Sequence, residues 1–535
     1  MQKHSDSSLL AEKRIPPTLH QDAIQQQVER ILSSEEFQAT KQQRDFFRFI
    51  IKETLAGRSQ GIKGYQVATE VFGRSSAFDT NTDPIVSIQA NKLRRALERY
   101  YLITGDQNPI LIDIPKGGYV PVFTKQKALD SGIPPVRQKS AEEMDTGWPS
   151  VLILPFQNMT GEKDNHIIGT SFASELATEI ARTQEITVRF QGENPVTSFT
   201  AMKSRFLLGG NIYKTETGIK VNSYLKDVRS GEQIFGDSLQ TDVGPVHFLA
   251  FQENIVRTIA CKISCDFGTI ASHIASESKD KSLDTLTPFE AILRFYEFEK
   301  TMTPENFRRA HEALHHAAAI NPDCGLIWSM LALLYTILYG ADVPGFEDSL
   351  EKAMEYGERG VRIKPNNQKT VGILGWVHFF NNDLTFALEY IDRAIALNPE
   401  SLVFMDRLGY ALALLGEWDR GCALIRKGIR NNPYYAPSVH YALWLDCLRR
   451  KDYERAYLET MGLVGSSLFW VPLAKASTLG LLERYDEGRK FAEQLLELRP
   501  DFPTRGRILI ERYIKFDAIA DRVIEGLTKV SLKIT

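Results

Sequence analysis

Cysteine is scarce in this chain. The five that occur in 535 residues, Cys261, Cys265, Cys324, Cys422 and Cys447, are scattered. That usage excludes a disulfide framework and points to a reducing, cytoplasmic compartment. An excess of one charge is also missing. Lys and Arg number 64 against 67 Asp and Glu, for a net charge of −3, which argues against a chain that coats nucleic acid along its length but leaves room for one basic domain. Long apolar runs are absent apart from residues 324–341 (CGLIWSMLALLYTILYGA), uncharged over 18 residues. That is the lower limit for a spanning helix. Its flanks lack clustered cations and it contains Gly325, Ser329 and Thr336, so a buried helix is the better reading and no membrane span is expected. The opening twenty residues hold no apolar stretch fit for a signal peptide. No glycine-rich phosphate loop and no nucleophile-elbow serine occurs, which leaves nucleotide-cleaving and serine-hydrolase chemistry without a motif.

At this length two to four domains are expected. Residues 1–29 are polar and read as a disordered tail, and 30–125 form a first domain. Within it, QRDFFRFIIKETLAGR sets Phe46, Phe49, Ile50 and Leu55 at helical spacing, and KGYQVATEVFGR predicts a short helix stopped at Gly73. Residues 126–149, with Pro134-Pro135 and charges of both signs, read as a linker. From 150 to 283 the order is strand, helix, then a hairpin series and a closing helix, which predicts a mixed α/β domain. Residues 284–535 are almost wholly helical. Prolines recur there at 322, 365, 399, 433 and 500, at spacings of 43, 34, 34 and 67 residues. A 34-residue period of helix pairs is the tetratricopeptide signature. Small and apolar packing positions keep the same period: Leu374-Gly375, Ala387, Ile391 and Ala394, then Leu408-Gly409, Ile425 and Gly428. The apolar run falls in register with them, through Trp328, Leu331, Ala332 and Tyr335. The expected fold class is therefore multidomain α+β, ending in a C-terminal α-solenoid.

The densest chemical signal lies at residues 83–123. A helix opened by Asp83-Pro84 carries Lys92, Arg94, Arg95 and Arg99, and two short strands around Gly117-Gly118 follow it. Between Glu35 and Lys127 there are 14 Lys and Arg against 10 Asp and Glu, so the basic charge is local to this domain. At 100° per residue Val86, Leu93, Leu97 and Tyr100 share an inward face, with Asn91, Lys92, Arg95 and Arg99 opposite and Arg94 at the flank. Lys or Arg can pair with guanine and Asn with adenine in a major groove, whereas a C-terminal Arg99 suits phosphate. Lys116, in the turn, would reach backbone or minor groove, and Tyr119 reads as core. Double-stranded DNA is the expected partner of this face.

On KLRRALE and IPKGGYVPVF the first domain resembles the OmpR/PhoB-type winged helix of bacterial regulators. The resemblance implies DNA binding, control of transcription and a homodimer on paired half-sites. The chain departs from that family in Ile114-Pro115 before the wing and in having no phosphoreceiver domain ahead of it. On VLILPFQNMTGEKDN, FLLGGNIYK and LKDVRSGEQIF the second domain is similar to the TolB-amino-terminal-like domain. Related chains often carry that domain and tetratricopeptide repeats behind an adenylate cyclase domain, which is absent here. Together the resemblances imply a regulator whose repeats bind a protein or peptide. A non-catalytic scaffold that keeps the winged-helix fold without DNA binding is the alternative.

Other motifs mimic metal sites. His311-Glu312-Ala313-Leu314-His315 spells the zinc-protease helix, but Ala318 and Asn321 replace the glycine and third histidine of the extended pattern, and Ala310, Leu314 and Ala317 make the stretch a packing helix. Asp79 to Asp83 opens like a calcium loop, yet Pro84 stands in place of the required glycine and Ala90 in place of the closing glutamate. Cys261 and Cys265 are one helical turn apart without a second pair. No catalytic residue, cofactor or metal site is therefore assigned.

Overall fold

The computed structural model describes residues 21–34, 36–37, 39–74, 85–104, 108–115, 118–125, 147–160, 165–190, 204–216, 218–241, 248–463 and 468–534. The chain divides into two compact units, Met1–Lys139 and Ser140–Thr535.

The first unit holds helices α1 (Gln21–Ser33), α2 (Lys41–Leu55), α3 (Gly64–Glu70) and α4 (Ile85–Thr104), then strands β1 (Ile110–Asp113) and β2 (Val122–Lys125). Helix α1 corrects the expected tail. Residues 21–29 belong to an amphipathic helix that buries Ile24, Gln27, Val28, Ile31 and Leu32. Its Gln27 Nε2 donates to Asn108 Oδ1 at 2.6 Å, and the Tyr100 hydroxyl donates to the same oxygen at 2.7 Å. Those buried polar atoms meet only because α1, α4 and the chain entering β1 pack together. Helix α2 starts at a capping box, the Thr40 side chain and Gln43 satisfying each other's backbone N–H. It buries Phe46 and Ile50 as expected, but Phe47 and Ile51 complete the face, while Phe49 and Leu55 are only half-buried. Gly73, at φ 63°, follows the end of α3. Strands β1 and β2 pair antiparallel, with Ile112 opposite Phe123.

The second unit opens with Gly147-Trp148, whose indole packs on Phe289 at 5.8 Å. The last residues of the expected linker are thus part of this unit, and 126–146 lie outside the described residues. Strands β3 (Ser150–Ile153), β4 (Gln157–Asn158), β5 (Thr187–Phe190), β6 (Phe206–Lys214), β7 (Ile219–Asp227) and β8 (Gln233–Thr241) form one sheet. Its order is β5-β3-β6-β7-β8, with β4 also on β6. Strand β3 runs parallel to β5 and β6, and β6, β7 and β8 are antiparallel neighbours. Helix α5 (Asn165–Ala181) connects β4 to β5. The closing helix is two, α6 (Phe248–Ser264) and α7 (Thr269–Glu277).

Helix hairpins follow: α8 (Pro288–Thr301) with α9 (Pro304–Ile320), α10 (Gly325–Ala341) with α11 (Ser349–Ile363), α12 (Gln368–Phe380) with α13 (Leu384–Leu397), α14 (Met405–Leu414) with α15 (Trp418–Asn431), α16 (Val439–Arg449) with α17 (Tyr453–Thr460), and α18 (Trp470–Leu481) with α19 (Tyr485–Leu498). The chain closes with α20 (Phe502–Tyr513) and α21 (Asp517–Lys529). The periodic positions read from the sequence are the packing positions: Leu331, Ala332, Ala387, Ile391, Ala394, Leu408 and Ile425 are all buried. The apolar run is α10, buried between neighbouring hairpins. Among the described residues no helix is long and apolar enough to cross a membrane. Close approach decides the crossing of α18 and α21, because a Cβ on Gly480 would fall 2.0 Å from the carbonyl oxygen of Gly526.

The expected boundary at residue 284 does not separate two bodies. The α/β portion and the hairpins form one compact unit, joined by buried charges. Lys369 of α12 ion-pairs with Glu185 and Asp266 and donates to the Tyr296 hydroxyl at 2.9 Å. Arg407 of α14 pairs with Glu299 at 2.8 Å and reaches Asp266 at 3.3 Å. Nearby, Cys261 and Cys265 of the α6 end pack on Leu402 as small apolar groups.

Candidate functional site

Helix α4 turns one face inward. Val86, Ala90, Leu93, Ala96, Leu97 and Tyr100 are buried in the first unit's core, which is the face predicted from helical spacing. Ile88 and Lys92 are exposed, one turn apart on the opposite side. The side chains of Asn91, Arg95 and Arg99 lie outside the described residues, as do Lys116 and the loop from Asp79 to Asp83.

Arg94 is placed differently from the expectation. Its Nε donates to the Ile114 carbonyl at 2.7 Å, and its Nη2 donates to those of Pro115 and Gly118 at 3.0 and 2.7 Å. A guanidinium holds five donors in a rigid fork, and here the fork grips the turn between β1 and β2. Arg94 is therefore a positioning residue that fastens the hairpin to α4. Tyr101 adds a second fastening. Its hydroxyl donates to the Ile110 carbonyl at 3.0 Å and accepts from the Ile112 N–H at 2.9 Å, and burial pushes its phenol well above the ordinary range.

The second unit has its own inner surface. A cavity of about 140 Å³ is lined by the first helices of successive hairpins, with Trp376, Tyr410, Tyr441, Trp444, Trp470 and Tyr513 among its walls. Helix α20 reaches it by packing back onto α10. Asp342, at the end of α10, binds Arg499 at 2.8 Å, Arg505 at 2.6 Å and Arg512 at 2.8 Å. Burial pushes the Asp342 carboxyl up, but the hydrogen bonds from Arg499 and Arg505 and the charge of Arg512 outweigh it and hold the pKa at about 2. Helix α20 thus supplies part of the cavity lining, through Tyr513. No motif marked this site. The signal available in the sequence was aromatic residues repeating on the first helices of the repeats.

The zinc-protease look-alike is a packed aromatic cluster. His311 Nε2 and His315 Nε2 lie 3.1 and 3.0 Å from the one Tyr335 hydroxyl, while Glu312 faces outward onto Arg308 at 3.2 Å. Burial and the neighbouring His311 and Lys352 push the His315 pKa down to about 4. Among the described residues Asp227, His273 and Glu277 come close enough together to hold a metal ion. Arg205 already pairs with both carboxylates, and His273 Nε2 lies 3.0 Å from Asp227, so the group is charge-balanced without one.

No family model matches the chain, and no curated protein matches it. Among solved structures it is similar to TolB from Acinetobacter baumannii, at 16% identity and a TM-score of 0.16, over 21% of this chain and 27% of that one. It is similar to PilF from Pseudomonas aeruginosa at 17% identity and 0.27, over 40% and 92% of the two chains. It is similar to yeast Tom70 at 12% identity and 0.25, over 96% and 83%.

Proposed function

We propose that the chain is a DNA-binding transcription regulator. In this reading the first unit is a winged helix of the OmpR/PhoB type. Strands β3–β8 with α5–α7 are the TolB-amino-terminal-like domain, and α8–α21 are tetratricopeptide-type repeats that receive a protein or peptide partner. It acts in the cytoplasm, as a homodimer on paired half-sites, and is not an enzyme. The observation that carries the reading is the fastening of the β1–β2 turn to α4 by Arg94. A helix that enters a groove and a wing that touches the flanking backbone must keep a fixed separation, and three hydrogen bonds to one guanidinium supply it. Lys92, exposed on the outer face of the same helix, is the cation free of the core that this docking requires.

The test is titration of a fluorescent random duplex with the full chain across a salt series. Affinity that falls steeply as salt rises supports the reading, because cations on phosphates release counterions. Absence of binding at low salt, or binding indifferent to salt, leaves the non-catalytic scaffold.

A further inference from the structure

We propose that His311, His315 and Tyr335 form a binding site for a divalent transition-metal ion that ties α9 to α10, across two successive hairpins. Helix α9 supplies two ligands. Residues four apart on a helix stand on one face, one turn above the other, and the two imidazoles lie 4.4 Å apart between ring centroids. Their Nε2 atoms aim at the same place. The Tyr335 hydroxyl of α10 lies 3.1 Å from that of His311 and 3.0 Å from that of His315. Donors bound to one ion at about 2.0–2.1 Å sit roughly 2.9–3.4 Å from one another. Both nitrogens therefore already keep the spacing of a coordination sphere from the oxygen.

Protonation and charge suit an ion there. Burial lowers the pKa of both histidines, so each imidazole is neutral at neutral pH and has a lone pair to give. The ammonium over the Tyr335 ring, that of Lys352, is paired with Asp348 at 2.8 Å. Phe307, Phe346 and Tyr356 pack around the three ligands and hold their rings in place, while the imidazoles stay partly exposed and open to an ion from solvent. Among the described residues no carboxylate joins the set, and Glu312 is turned outward onto Arg308. Calcium and magnesium, which take oxygen ligands, are thereby disfavoured, and copper or zinc, which take imidazole, are favoured. The outward Glu312 also leaves the site without the base of a zinc protease, so the ion is held and not used for hydrolysis. On binding, three metal–water bonds are exchanged for two metal–nitrogen bonds and one metal–oxygen bond, and the phenol proton leaves to solvent.

The chelator-treated full chain is titrated with Zn²⁺ by calorimetry and with Cu²⁺ by visible absorption. Each should saturate at one per chain, Ca²⁺ and Mg²⁺ should not compete, and Cu²⁺ should give a phenolate-to-copper charge-transfer band. Tyr335→Phe keeps the ring packing; it should abolish that band and weaken binding on the order of tenfold. The His311→Gln/His315→Gln double variant, shown folded by circular dichroism, should weaken binding on the order of a hundredfold. Absence of saturable binding of either ion by the native chain, or competition by Ca²⁺ at equal concentration, overturns the proposal. A folded double variant that still takes one ion with native affinity overturns it too, because the ion then sits on other histidines. A band that survives Tyr335→Phe removes Tyr335 from the site and overturns the three-ligand assignment.

Discussion

The ammonium of Lys369, on α12, forms a buried ion pair with the carboxylate of Asp266, at the turn between α6 and α7. Both side chains are almost wholly out of solvent. Burial pushes the Asp266 carboxyl up, and the charges of Lys369 and Arg407 more than reverse it. Glu185 shares the same ammonium, but burial, with the Asp266 carboxylate beside it, keeps its pKa raised. Removing one partner of such a group leaves uncompensated charge in a low dielectric, which costs far more than the pair contributes.

Lys369→Met should therefore destabilise the second unit by on the order of 3–5 kcal/mol, read from urea unfolding of the full chain. A change below about 1 kcal/mol would show that water reaches the two carboxylates.

On the first unit, Lys92 and Arg94 should separate cleanly. Lys92→Ala removes an exposed cation, so DNA affinity should fall, the salt slope should shrink by about 1, and thermal stability should not change. Arg94→Ala frees three backbone carbonyls and loosens the hairpin, so stability and affinity should fall together. Equal melting temperatures for native and Arg94→Ala chains would remove the tether from the argument.

His315 predicts a pH dependence. Its folded pKa of about 4 lies below the ordinary 6.5, so the unfolded chain takes up the proton first on acidification. Stability from this group is complete above about 6.5 and is lost as pH falls toward 4. The His315→Gln variant should lose less stability than the native chain between about pH 7 and pH 4.5, compared by urea midpoint. Identical losses would contradict the buried, neutral imidazole.

Asp342 works in the same sense at lower pH. Its depressed pKa of about 2 contributes stability that is present above the ordinary carboxylate value and is lost only as pH falls through about 2. Asp342→Asn keeps a residue tolerant of the left-handed backbone found there, φ 54°, and removes the charge. At neutral pH it should cost about 1–2 kcal/mol. An unaltered urea midpoint at neutral pH would show that α20 holds its place without Asp342.

Helix pairs, their period and the succession of strand, helix and hairpin series in the α/β portion were legible in the amino-acid sequence. Each is set by neighbours within a few dozen residues: Gly375 meets Tyr390 and Ile391 of its own hairpin, and β6 pairs with the strand that follows it. The inward face of α4 was legible for the same reason, as a helical period needs no distant partner. The role of Arg94 was not, since a cation on a helix flank reads as a DNA contact until the turn 20 residues later is seen folded against it. Helix α1 was missed because its apolar residues are diluted by glutamines, one of which is buried by a hydrogen bond to Asn108. Lys369 stood as a lone cation in the apolar helix QKTVGILGWVHFF, a signal of burial, but its partner is 103 residues away. Only the tertiary structure could bring such charges together, or return α20 to α10 to line a cavity, because those contacts join segments whose separation in sequence carries no periodic mark.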